Sequence, residues 1–327
     1  MLSQPAVPAS TTMDKKTISL IWTAAAKRRP LKKITNALRL VNGLGDGLPG
    51  LVFEQYYRHY VIHLFDKEWI PQKEALAGFI QTCFKPNYLI IKERLDPKAL
   101  KAEQINASVR VEHGSSQTVV RENGLSFGVD LNDGLNSGLF LDMRRNRKFV
   151  AGFTKGTRVL NCFAYTCSFG VYARDCGARE VVNVDISRKS LERGRANYGL
   201  NQLVYGKNEF VRADAQEFMG RAIRKGDRFG CVVLDPPSFA RHAGKVFSIK
   251  KDLAILVRSA LDVLEPGGIL FVSTNFSGIT RGELKRLVLA GGKEKVTLMK
   301  QVGQDADFPG SGRMPESYLA GLLARKL

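Results

Sequence analysis

From about Gly134 to the end of the chain, short apolar segments alternate with stretches of helical character, and this alternation restricts the fold more than any other feature. The predicted strands are Arg158 to Asn161, Glu180 to Val184, Glu209 to Arg212, Cys231 to Leu234 and Gly268 to Ser273. Strand, helix and strand repeated in this way are typical of a parallel sheet that is covered by helices on both faces. We therefore predict an α/β fold.

Residues 36 to about 130 carry a second, shorter α/β pattern. Its predicted elements are strands at Leu51 to Phe53, Tyr60 to Phe65 and Tyr88 to Ile91, a helix at Glu74 to Cys83, and a hairpin of Thr118 to Arg121 with Leu125 to Val129. Asn123-Gly124 favours the hairpin because both residues tolerate a positive φ. The glycines between Gly43 and Gly50 predict a second tight connection.

The first 35 residues differ from both patterns. Ser3 to Thr12 is polar and predicts a frayed tail. A basic stretch follows, formed by Lys27, Arg28, Arg29, Lys32 and Lys33. It has two open interpretations, a helix that contacts phosphate or a solvated helix face. With 327 residues and roughly 100–200 residues per domain, we expect a basic tail or helix (1–35), a small α/β domain (36–130) and a larger domain (131–327).

The charge of the chain is strongly unbalanced, with 50 Lys and Arg against 31 Asp and Glu and a formal net charge of +19. Such an excess attracts polyanions, and nucleic-acid phosphate is the commonest of them. The alternative is a basic surface without a polyanionic partner.

Cysteine usage and hydropathy indicate the compartment. The five cysteines form no CxxC pair and have no neighbouring histidines, which favours reduced thiols over disulfides or a zinc site. No apolar run reaches the ~20 residues of a membrane span, and no signal-peptide pattern opens the sequence. We expect a cytoplasmic protein with no metal and no membrane partner.

Ligands of such sheets bind beyond the carboxyl ends of the strands. The turn after the first strand lacks the G-x-G-x-x-G fingerprint that a dinucleotide pyrophosphate requires. S-adenosylmethionine has no phosphate, so a turn of small and aromatic residues is compatible with its amino-acid end, although an ordinary loop is equally open. The candidate side chains of this turn are Asn161, Phe163, Tyr165, Thr166 and Ser168.

The next two strands each end in an acidic residue. Asp185, followed by Ile186, ends the second strand at a position where a carboxylate accepts both ribose hydroxyls. Asp214, followed by Ala215, ends the third strand and is a candidate acceptor for the adenine amino group. Each has an alternative structural interpretation at a helix start, with Ser187 as the N-cap after Asp185 and Asp214 itself as the cap of the following helix.

The sharpest signal follows the fourth strand, where Asp235-Pro236-Pro237 is succeeded by Phe239. Two prolines fix φ and remove two amide donors, so the segment is rigid and its carbonyls are available as acceptors. We expect Asp235 at the point where methyl donor and acceptor meet, with Phe239 stacked on a flat base. After the fifth strand, Asn275 offers a donor and an acceptor, and Phe276 offers a further stacking face. A capped strand end without a ligand is the alternative interpretation of this segment.

Together with two upstream segments, these residues resemble the large-subunit ribosomal RNA methyltransferase I family. The matching segments are Phe140 to Arg147, similar to F-L-D-x-R-x-N-R; Asn161 to Phe169, similar to N-x-F-x-Y-T-x-x-F; and Arg39 to Val52, similar to R-L-x-x-G…D-G-L-P-G-L. Near the end, Asp307-Phe308-Pro309 and Tyr318-Leu319 resemble the closing strands of the family. The resemblance spans about residue 25 to the C-terminus.

The resemblance implies a class I methyltransferase fold, with a Rossmann-like, mainly parallel sheet, and S-adenosylmethionine as cofactor. It assigns Asp185 to the ribose and Asp214 to the adenine. It places Asp142, Arg144 and the Asn161–Ser168 turn around the methionine end, and Asp235 to Phe239 on the catalytic face. The ~35 residues before the central domain leave no room for the N-terminal PUA domain of longer family members.

Members of the family that form 5-methylcytosine carry a cysteine after the fifth strand, because methylation at C5 requires a thiolate to add to C6. The corresponding segment here is Thr274-Asn275-Phe276-Ser277-Gly278. Cys231 and Cys162 lie within or beside predicted strands and are expected to be small buried residues. The sequence therefore favours a nitrogen acceptor.

Our leading hypothesis is S-adenosylmethionine-dependent methylation of a base in RNA, with ribosomal RNA as the implied substrate and the small domain as a candidate RNA contact. The alternatives are 5-methylcytosine formation and a non-catalytic RNA-binding assembly factor that retains the fold. A small-molecule or protein substrate is disfavoured by the charge. The oligomeric state stays open between a monomer and a homodimer.

Overall fold

The residues that precede the alternating region form a sheet of their own. The computed structural model describes residues 13–95, 106–134, 136–242, 245–292, 295–310 and 319–327. In these ranges the strands of this sheet are, in spatial order, β1 (Ala37–Asn42), β2 (Leu51–Tyr56), β3 (His59–Leu64), β4 (Tyr88–Glu93) and β5 (Asn106–Glu112). The helices are α1 (Lys15–Lys27) and α2 (Lys73–Phe84), and a separate hairpin consists of β6 (Gln117–Glu122) and β7 (Leu125–Asp130).

The connection between β3 and β4 explains the position of α2. These two strands are parallel, whereas the other neighbouring pairs of the sheet are antiparallel. A parallel pair needs a crossover, and α2 supplies it. Leu76, Phe79 and Ile80 of α2 are buried in one apolar cluster with Ile21 of α1 and Phe53 of β2. Full burial of side chains of this size contributes roughly 1.5–3 kcal/mol each.

Two tight connections predicted from glycine and asparagine are confirmed. Asn123 and Gly124 have φ values of 50° and 89° between β6 and β7. Gly43, Gly47 and Gly50 also have positive φ values. At Gly50 a side chain is excluded as well, because a Cβ atom there would overlap Asp66.

The alternating region forms the expected mainly parallel sheet. Within the described residues its spatial order is β10 (Phe210–Arg212), β9 (Glu180–Asp185), β8 (Arg158–Cys162), β11 (Phe229–Leu234), β14 (Leu264–Thr274), β16 (Ala320–Lys326) and β15 (Val296–Val302). The helices that accompany it are α3 (Arg144–Ala151), α4 (Ser168–Asp175), α5 (Arg188–Leu200), α6 (Ala215–Lys225), α7 (Ile249–Val263) and α8 (Arg281–Gly292). The short hairpin β12 (Phe239–His242) and β13 (Lys245–Ser248) follows β11.

The strand order reverses at β8, which lies between β9 and β11 and is parallel to both. A crevice opens at such a switch point beyond the carboxyl ends of the strands, and ligands bind there. All five predicted strands are confirmed within this sheet. The fold places the ends of β8, β9, β10, β11 and β14 at one edge, and these ends carry the predicted site.

The end of the chain corrects one expectation. Asp307-Phe308-Pro309 is not a strand, and the closing strands are β15 and β16, which pair antiparallel. Of the other segment, Leu319 immediately precedes β16, whereas Tyr318 lies outside the described residues. Ser3 to Thr12 also lies outside them.

The chain divides into two compact units, and neither is continuous in sequence. The first combines Met1–Leu141 with Ala306–Glu316, and the second combines Asp142–Asp305 with Ser317–Leu327. The division falls after Leu141 rather than after residue 130, and α1 belongs to the first unit rather than to a separate tail. In the first unit, the amide of Arg39 donates to Oδ2 of Asp307 at 2.9 Å.

The basic stretch of the N-terminal region contains one residue that is neither solvated nor available to phosphate. Arg28 is 2% exposed and forms a bidentate ion pair with buried Asp46, with Nη1–Oδ1 and Nη2–Oδ2 distances of 2.7 and 2.6 Å. Its guanidinium also donates to the carbonyl oxygens of Ala24, Arg39 and Asp307. For Arg28, both interpretations of the basic stretch are therefore wrong.

Replacing Arg28 with Met should destabilise the first unit by about 3–5 kcal/mol, because it leaves the Asp46 carboxylate buried without its partner. Trp22 and Trp69, the two tryptophans of the chain, lie in this unit. Tryptophan fluorescence during urea denaturation therefore measures the loss. Arg29→Met, at an exposed neighbour, should change stability by at most about 0.5 kcal/mol. Equal midpoints for the two variants would contradict a structural role of the ion pair.

Candidate active site

The turn between β8 and α4 has an unusual backbone. Phe163, Tyr165 and Cys167 have φ values of 57°, 48° and 59°, in the left-handed region that side chains with a Cβ disfavour. Each such residue costs roughly 1–3 kcal/mol and persists only where the surroundings impose it. Backbone strain of this kind concentrates at functional sites, so the turn is a candidate ligand loop on structural grounds as well.

Asp185, at the end of β9, holds this turn in place. Its Oδ2 accepts from the amide of Tyr165 at 2.8 Å, and its Oδ1 accepts from the amide of Ser187 at 2.8 Å. Burial raises the pKa of Asp185, while these backbone hydrogen bonds lower it. Each oxygen retains a lone pair, so the carboxylate can still accept two ribose hydroxyls. Ser187 is the N-cap of α5, as the alternative interpretation expected.

Asp214 and Ile186 lie at neighbouring strand ends. Asp214 is the N-cap of α6, and its Oδ1 accepts from the amide of Glu217 at 3.0 Å. The capping interpretation is therefore confirmed. The contact with adenine stays a prediction, in which the other carboxylate oxygen, Oδ2, would accept from the adenine amino group. Ala215 is buried as the first residue of α6. Ile186 is 39% exposed, an apolar surface beside Asp185 that suits a planar base.

Asp235 follows β11 and is anchored by the neighbouring strand. The hydroxyl of Ser273, a fully buried residue of β14, donates to Oδ1 of Asp235 at 2.7 Å. Burial raises the pKa of Asp235 to about 6, and the charge of Asp142 raises it as well, whereas Ser273 and Arg147 lower it. Asp235 is therefore a carboxylate whose protonation state changes near the lower end of the physiological range.

The other residues predicted for the catalytic face follow Asp235 in the chain or follow the neighbouring strand β14. Pro236 is buried and Pro237 is exposed. Exposed Asn275 accepts from the Ser238 hydroxyl at 3.3 Å through Oδ1, so the segments after β11 and β14 are in contact. Phe239 begins β12, and its side chain lies outside the described part of the structure. Its stacking role stays a prediction.

Phe276 is partly buried against the core of the second unit. The ammonium nitrogen of Lys250 lies 5.7 Å from the centre of its ring. A Cβ atom at Gly278 would overlap the same ring, so the glycine lets the ring approach the backbone. Phe276 is thus held by its neighbours, and its predicted contact with a base is untested.

The predicted contacts to the methionine end differ in their surroundings. Asp142 is buried, and its negative charge raises the pKa of Asp235. Arg144 is fully buried, and its Nη1 pairs with Asp305 at 3.0 Å. Asn161 is 2% exposed and donates from Nδ2 to Oδ1 of Asn183 at 2.9 Å. Its amide supports the sheet under the turn.

Thr166 and Ser168 complete the predicted turn. The carbonyl of Thr166 accepts from Nδ2 of Asn197 at 2.9 Å, and both residues are buried. Ser168 is the first residue of α4 and is partly exposed. The amide of Ala164 donates to the carbonyl of Val184 at 3.0 Å. The turn is therefore fixed from β9 and from α5.

Several supporting residues were missed at the sequence level. Ser273 and Asn183 are polar residues inside apolar strands, and that pattern could have indicated them. Asn183 donates to the hydroxyl of Tyr198 at 3.1 Å. Arg147 stands in the F-L-D-x-R-x-N-R match, but nothing in that segment indicated that its charge lowers the pKa of Asp235. Gly194, whose Cβ would overlap Cys167, carries no signal in the sequence.

The cysteines confirm the expectation of buried thiols near the sheet. Cys162 and Cys231 are fully buried at the end of β8 and within β11. Burial raises the pKa of the Cys231 thiol to about 12, and burial with the nearby charge of Asp214 raises the pKa of Cys162. Cys167 is also fully buried, and burial raises its pKa well above the ordinary value. These three thiols are poor nucleophiles.

Two features are absent from the described ranges. No helix there combines the length and apolarity that crossing a bilayer requires. Nor do three or more His, Cys, Asp or Glu side chains come together as a metal site among those residues.

A comparison with protein families gives a match over residues 82–310 to the S-adenosylmethionine-dependent methyltransferase family. The chain therefore belongs to this family, and it is an S-adenosylmethionine-dependent methyltransferase. The match covers the Asp142–Asp305 part of the second unit, with β8 to β14 and the strand ends described above, and residues 82–141 and 306–310 of the first unit. The class that the sequence resemblance implied is confirmed.

The relatives narrow the class. The chain is 33% identical over 296 residues to ribosomal RNA large subunit methyltransferase I of Aeromonas salmonicida, covering 88% of this chain and 74% of that protein. It is 34% identical over 297 residues to the protein of the same name from Aeromonas hydrophila, with the same coverage. A solved structure of SMU.776, described as a methyltransferase and complexed with SAH, aligns with a TM-score of 0.87 at 27% identity, covering 98% of this chain and 83% of that one.

The residues at the strand ends fit S-adenosylmethionine. Asp185 provides an anchored carboxylate with acceptor capacity for a diol, and exposed Ile186 beside it provides an apolar contact for a base. The strained turn lacks the G-x-G-x-x-G glycines that let a backbone approach a pyrophosphate closely. Their absence suits a cofactor that has no phosphate. Asp142 contributes negative charge, which suits the cationic end of the cofactor.

The turn also depends on a glycine of the facing helix. A Cβ atom on Gly194 of α5 would overlap the sulfur of Cys167. Gly194→Ala should therefore lower the melting temperature and weaken S-adenosylmethionine binding, with a cost of about 1–3 kcal/mol for overpacking. The same substitution in a Cys167→Gly background should cost much less, because the space is vacated and the strained φ is relieved.

Gly199→Ala is the matched control, because it lies on the same helix and its Cβ would have no neighbour within 4 Å. Thermal unfolding and calorimetric titration with the cofactor measure both effects. If the Cys167→Gly background does not reduce the cost at Gly194, steric conflict with Cys167 is not its cause.

Proposed function

We propose that this chain methylates a nitrogen atom of an RNA base, with ribosomal RNA as its substrate. The observation that carries the proposal is the carboxylate of Asp235. It is anchored by Ser273, set in a rigid proline segment at the switch point of the sheet, and has a pKa of about 6. Such a group can accept a hydrogen bond from a base and remove its proton near neutral pH.

An RNA substrate is supported by two independent observations. The formal net charge of +19 favours a polyanionic partner. The two Aeromonas relatives are named for the large ribosomal subunit RNA. A small neutral metabolite would gain nothing from this charge.

A nitrogen acceptor is supported by the state of the thiols. Addition to C6 of a pyrimidine requires an accessible thiolate. Cys162, Cys167 and Cys231 are fully buried. Cys176 is exposed, but it follows the C-terminal end of α4, and this helix leads away from the ligand edge of the sheet. Cys83 belongs to α2 of the first unit.

The proposed chemistry requires little beyond positioning. When bound, S-adenosylmethionine supplies a sulfonium methyl group that a nucleophile takes by in-line displacement. Asp185 would hold the ribose, and the Phe163–Ser168 turn the methionine end. Asp235 accepts a hydrogen bond from an N–H of the base and takes that proton as the nitrogen gains its methyl group. The carbonyl oxygens before Pro236 and Pro237 and the side-chain amide of Asn275 would orient the base.

Methyl transfer should decrease as pH falls through about 6, because protonated Asp235 cannot accept the proton. Asp235→Asn should reduce the rate by about 10²–10⁴-fold and remove this pH dependence, while calorimetry shows cofactor binding largely retained. The assay is single-turnover transfer of a labelled methyl group to ribosomal RNA across pH. An Asp235→Asn protein that transfers methyl groups at the wild-type rate would exclude the proposed role.

Ser273→Ala tests the cause of this pH dependence. The Ser273 hydroxyl stabilises the ionised form and lowers the pKa of Asp235, so its removal should move the decrease in rate to higher pH. Ser277→Ala, at an exposed position after the same strand, should leave the midpoint unchanged. A midpoint unaffected by Ser273→Ala would assign the pH dependence to another group.

Mass spectrometry of ribosomal RNA nucleosides, before and after incubation with the protein and labelled cofactor, tests the substrate and the atom. We expect a labelled N-methyl nucleoside. A stable covalent adduct with RNA that contains 5-fluorocytosine would instead establish the 5-methylcytosine route. Cofactor binding without transfer to any RNA would favour an assembly factor.

A further inference from the structure

The first unit has a surface depression, remote in sequence from the methyltransferase strand ends, whose lining is rich in cationic and amide side chains. The lining includes Arg58, Gln81, Lys85, Asn87, Arg110 and His113. Three permanent cations face one lining carboxylate, that of Glu112. A concave surface with this balance attracts an anionic ligand.

The chain fold brings these cations together from separate elements. Arg58 lies in the two-residue turn between β2 and β3, Lys85 at the end of α2, and Arg110 in β5. Backbone hydrogen bonds join the segments: the amide of Asn87 donates to the carbonyl of Arg58, and the amide of His113 to the carbonyl of Asn87, both at 2.8 Å. The depression is therefore part of the folded sheet edge.

Lys85 and Arg58 are exposed and positioned by their backbone. Lys85 caps α2 directly after its last residue, with φ 48° and ψ 60°, a left-handed conformation that glycine or asparagine usually adopts. Nη2 of Arg58 donates to the carbonyl of Lys85 at 3.3 Å. A guanidinium has five N–H donors, so this one bond orients it without exhausting its capacity for phosphate.

Tyr57 precedes Arg58 in the same turn, and its side chain is 50% exposed. Its φ is 59°, again a conformation unfavourable for an aromatic residue. Its amide donates to the carbonyl of Asn36 at 2.8 Å, and its carbonyl accepts from Nε2 of Gln55 at 2.8 Å. An exposed ring on a fixed turn, with Arg58 as the next residue, combines the aromatic surface and the positive charge that single-stranded nucleic acids use.

Arg110 is partly restrained by an acidic neighbour. Its Nη2 pairs with Oε1 of Glu74 at 2.8 Å, and the Glu74 side chain is 72% exposed. An exposed pair of this kind contributes little to stability, but Glu74 offsets part of the positive charge of the depression.

We propose that this depression binds the phosphate backbone of a single-stranded RNA segment, with Arg58, Lys85 and Arg110 on the phosphates and Tyr57 as a stacking surface. This inference rests on the proposed function, because it concerns how the RNA substrate is held. It assigns to the first unit a recognition role that the methyltransferase strand ends do not supply.

The test measures binding of the full chain to a fluorescein-labelled single-stranded RNA of mixed sequence, about 12 nucleotides long, by anisotropy over a series of KCl concentrations. Arg58→Ala with Lys85→Ala should weaken binding. It should also reduce the slope of log K against log salt by about 1.4, since each phosphate contact to a single strand contributes about 0.7. Tyr57→Asn, which tolerates the left-handed backbone, should weaken binding with little change of slope.

The matched control is Lys67→Ala with Arg121→Ala, which removes the same charge from exposed positions of the same unit outside the depression. Its slope should stay within experimental error of the wild type. Glu74→Gln should act in the opposite direction and tighten binding, an effect that loss of folding cannot imitate. Melting temperature and calorimetric cofactor affinity should be unchanged in all of these variants.

If the Arg58/Lys85 variant has the affinity and slope of the control variant while the wild type methylates ribosomal RNA, the depression is not the RNA site and the proposed function survives. If the wild type binds no RNA at low salt, the inference and the proposed function both fail. Tighter binding by Glu74→Gln, together with a reduced salt slope in the Arg58/Lys85 variant, supports both the RNA site in the depression and the proposed function.

Discussion

The two hydrogen bonds that Asp185 accepts from backbone amides determine the shape of the ligand edge. Asp185 is the last residue of β9, and its carboxylate binds the amide of Tyr165 in the turn after β8. The segments that follow these two parallel strands are therefore tied to each other. Together with the Ala164–Val184 and Asn197–Thr166 hydrogen bonds, this anchor holds the turn in which Phe163, Tyr165 and Cys167 have left-handed backbone conformations. The same two oxygens are the proposed acceptors for the ribose hydroxyls. One carboxylate thus both restrains the strained turn and is proposed to bind the cofactor.

Polar contacts beneath the turn extend this restraint into the core. Asn161 donates to Asn183, which in turn donates to Tyr198, and Asn197 holds the carbonyl of Thr166. A buried side-chain amide destabilises the fold unless it has hydrogen-bond partners, and each of these three amides donates to a neighbouring residue. The site is therefore built on rigid sheet and helix positions, which suits a reaction governed by orientation.

The sequence predicted the architecture well because its strands are apolar and its turns carry recognisable residues, as at Asn123-Gly124 and Asp235-Pro236-Pro237. It did not predict the backbone of the β8–α4 turn, since Phe, Tyr and Cys disfavour positive φ and only tertiary contacts select it. Arg28 was misread because Asp46, its partner, is distant in sequence. The closing strands were misplaced since β15 is a half-polar edge strand with a weak alternating pattern.

The discontinuity of the first unit has a consequence for biosynthesis. Arg28 and Arg39 in its N-terminal part bind the segment around Asp307. A ribosome making this chain must therefore translate nearly all of the second unit before the first can be completed. Until then the Arg28–Asp46 pair lacks one of its carbonyl acceptors. An expression fragment that stops at residue 141 would omit the same piece, so the unit is best produced from the whole gene.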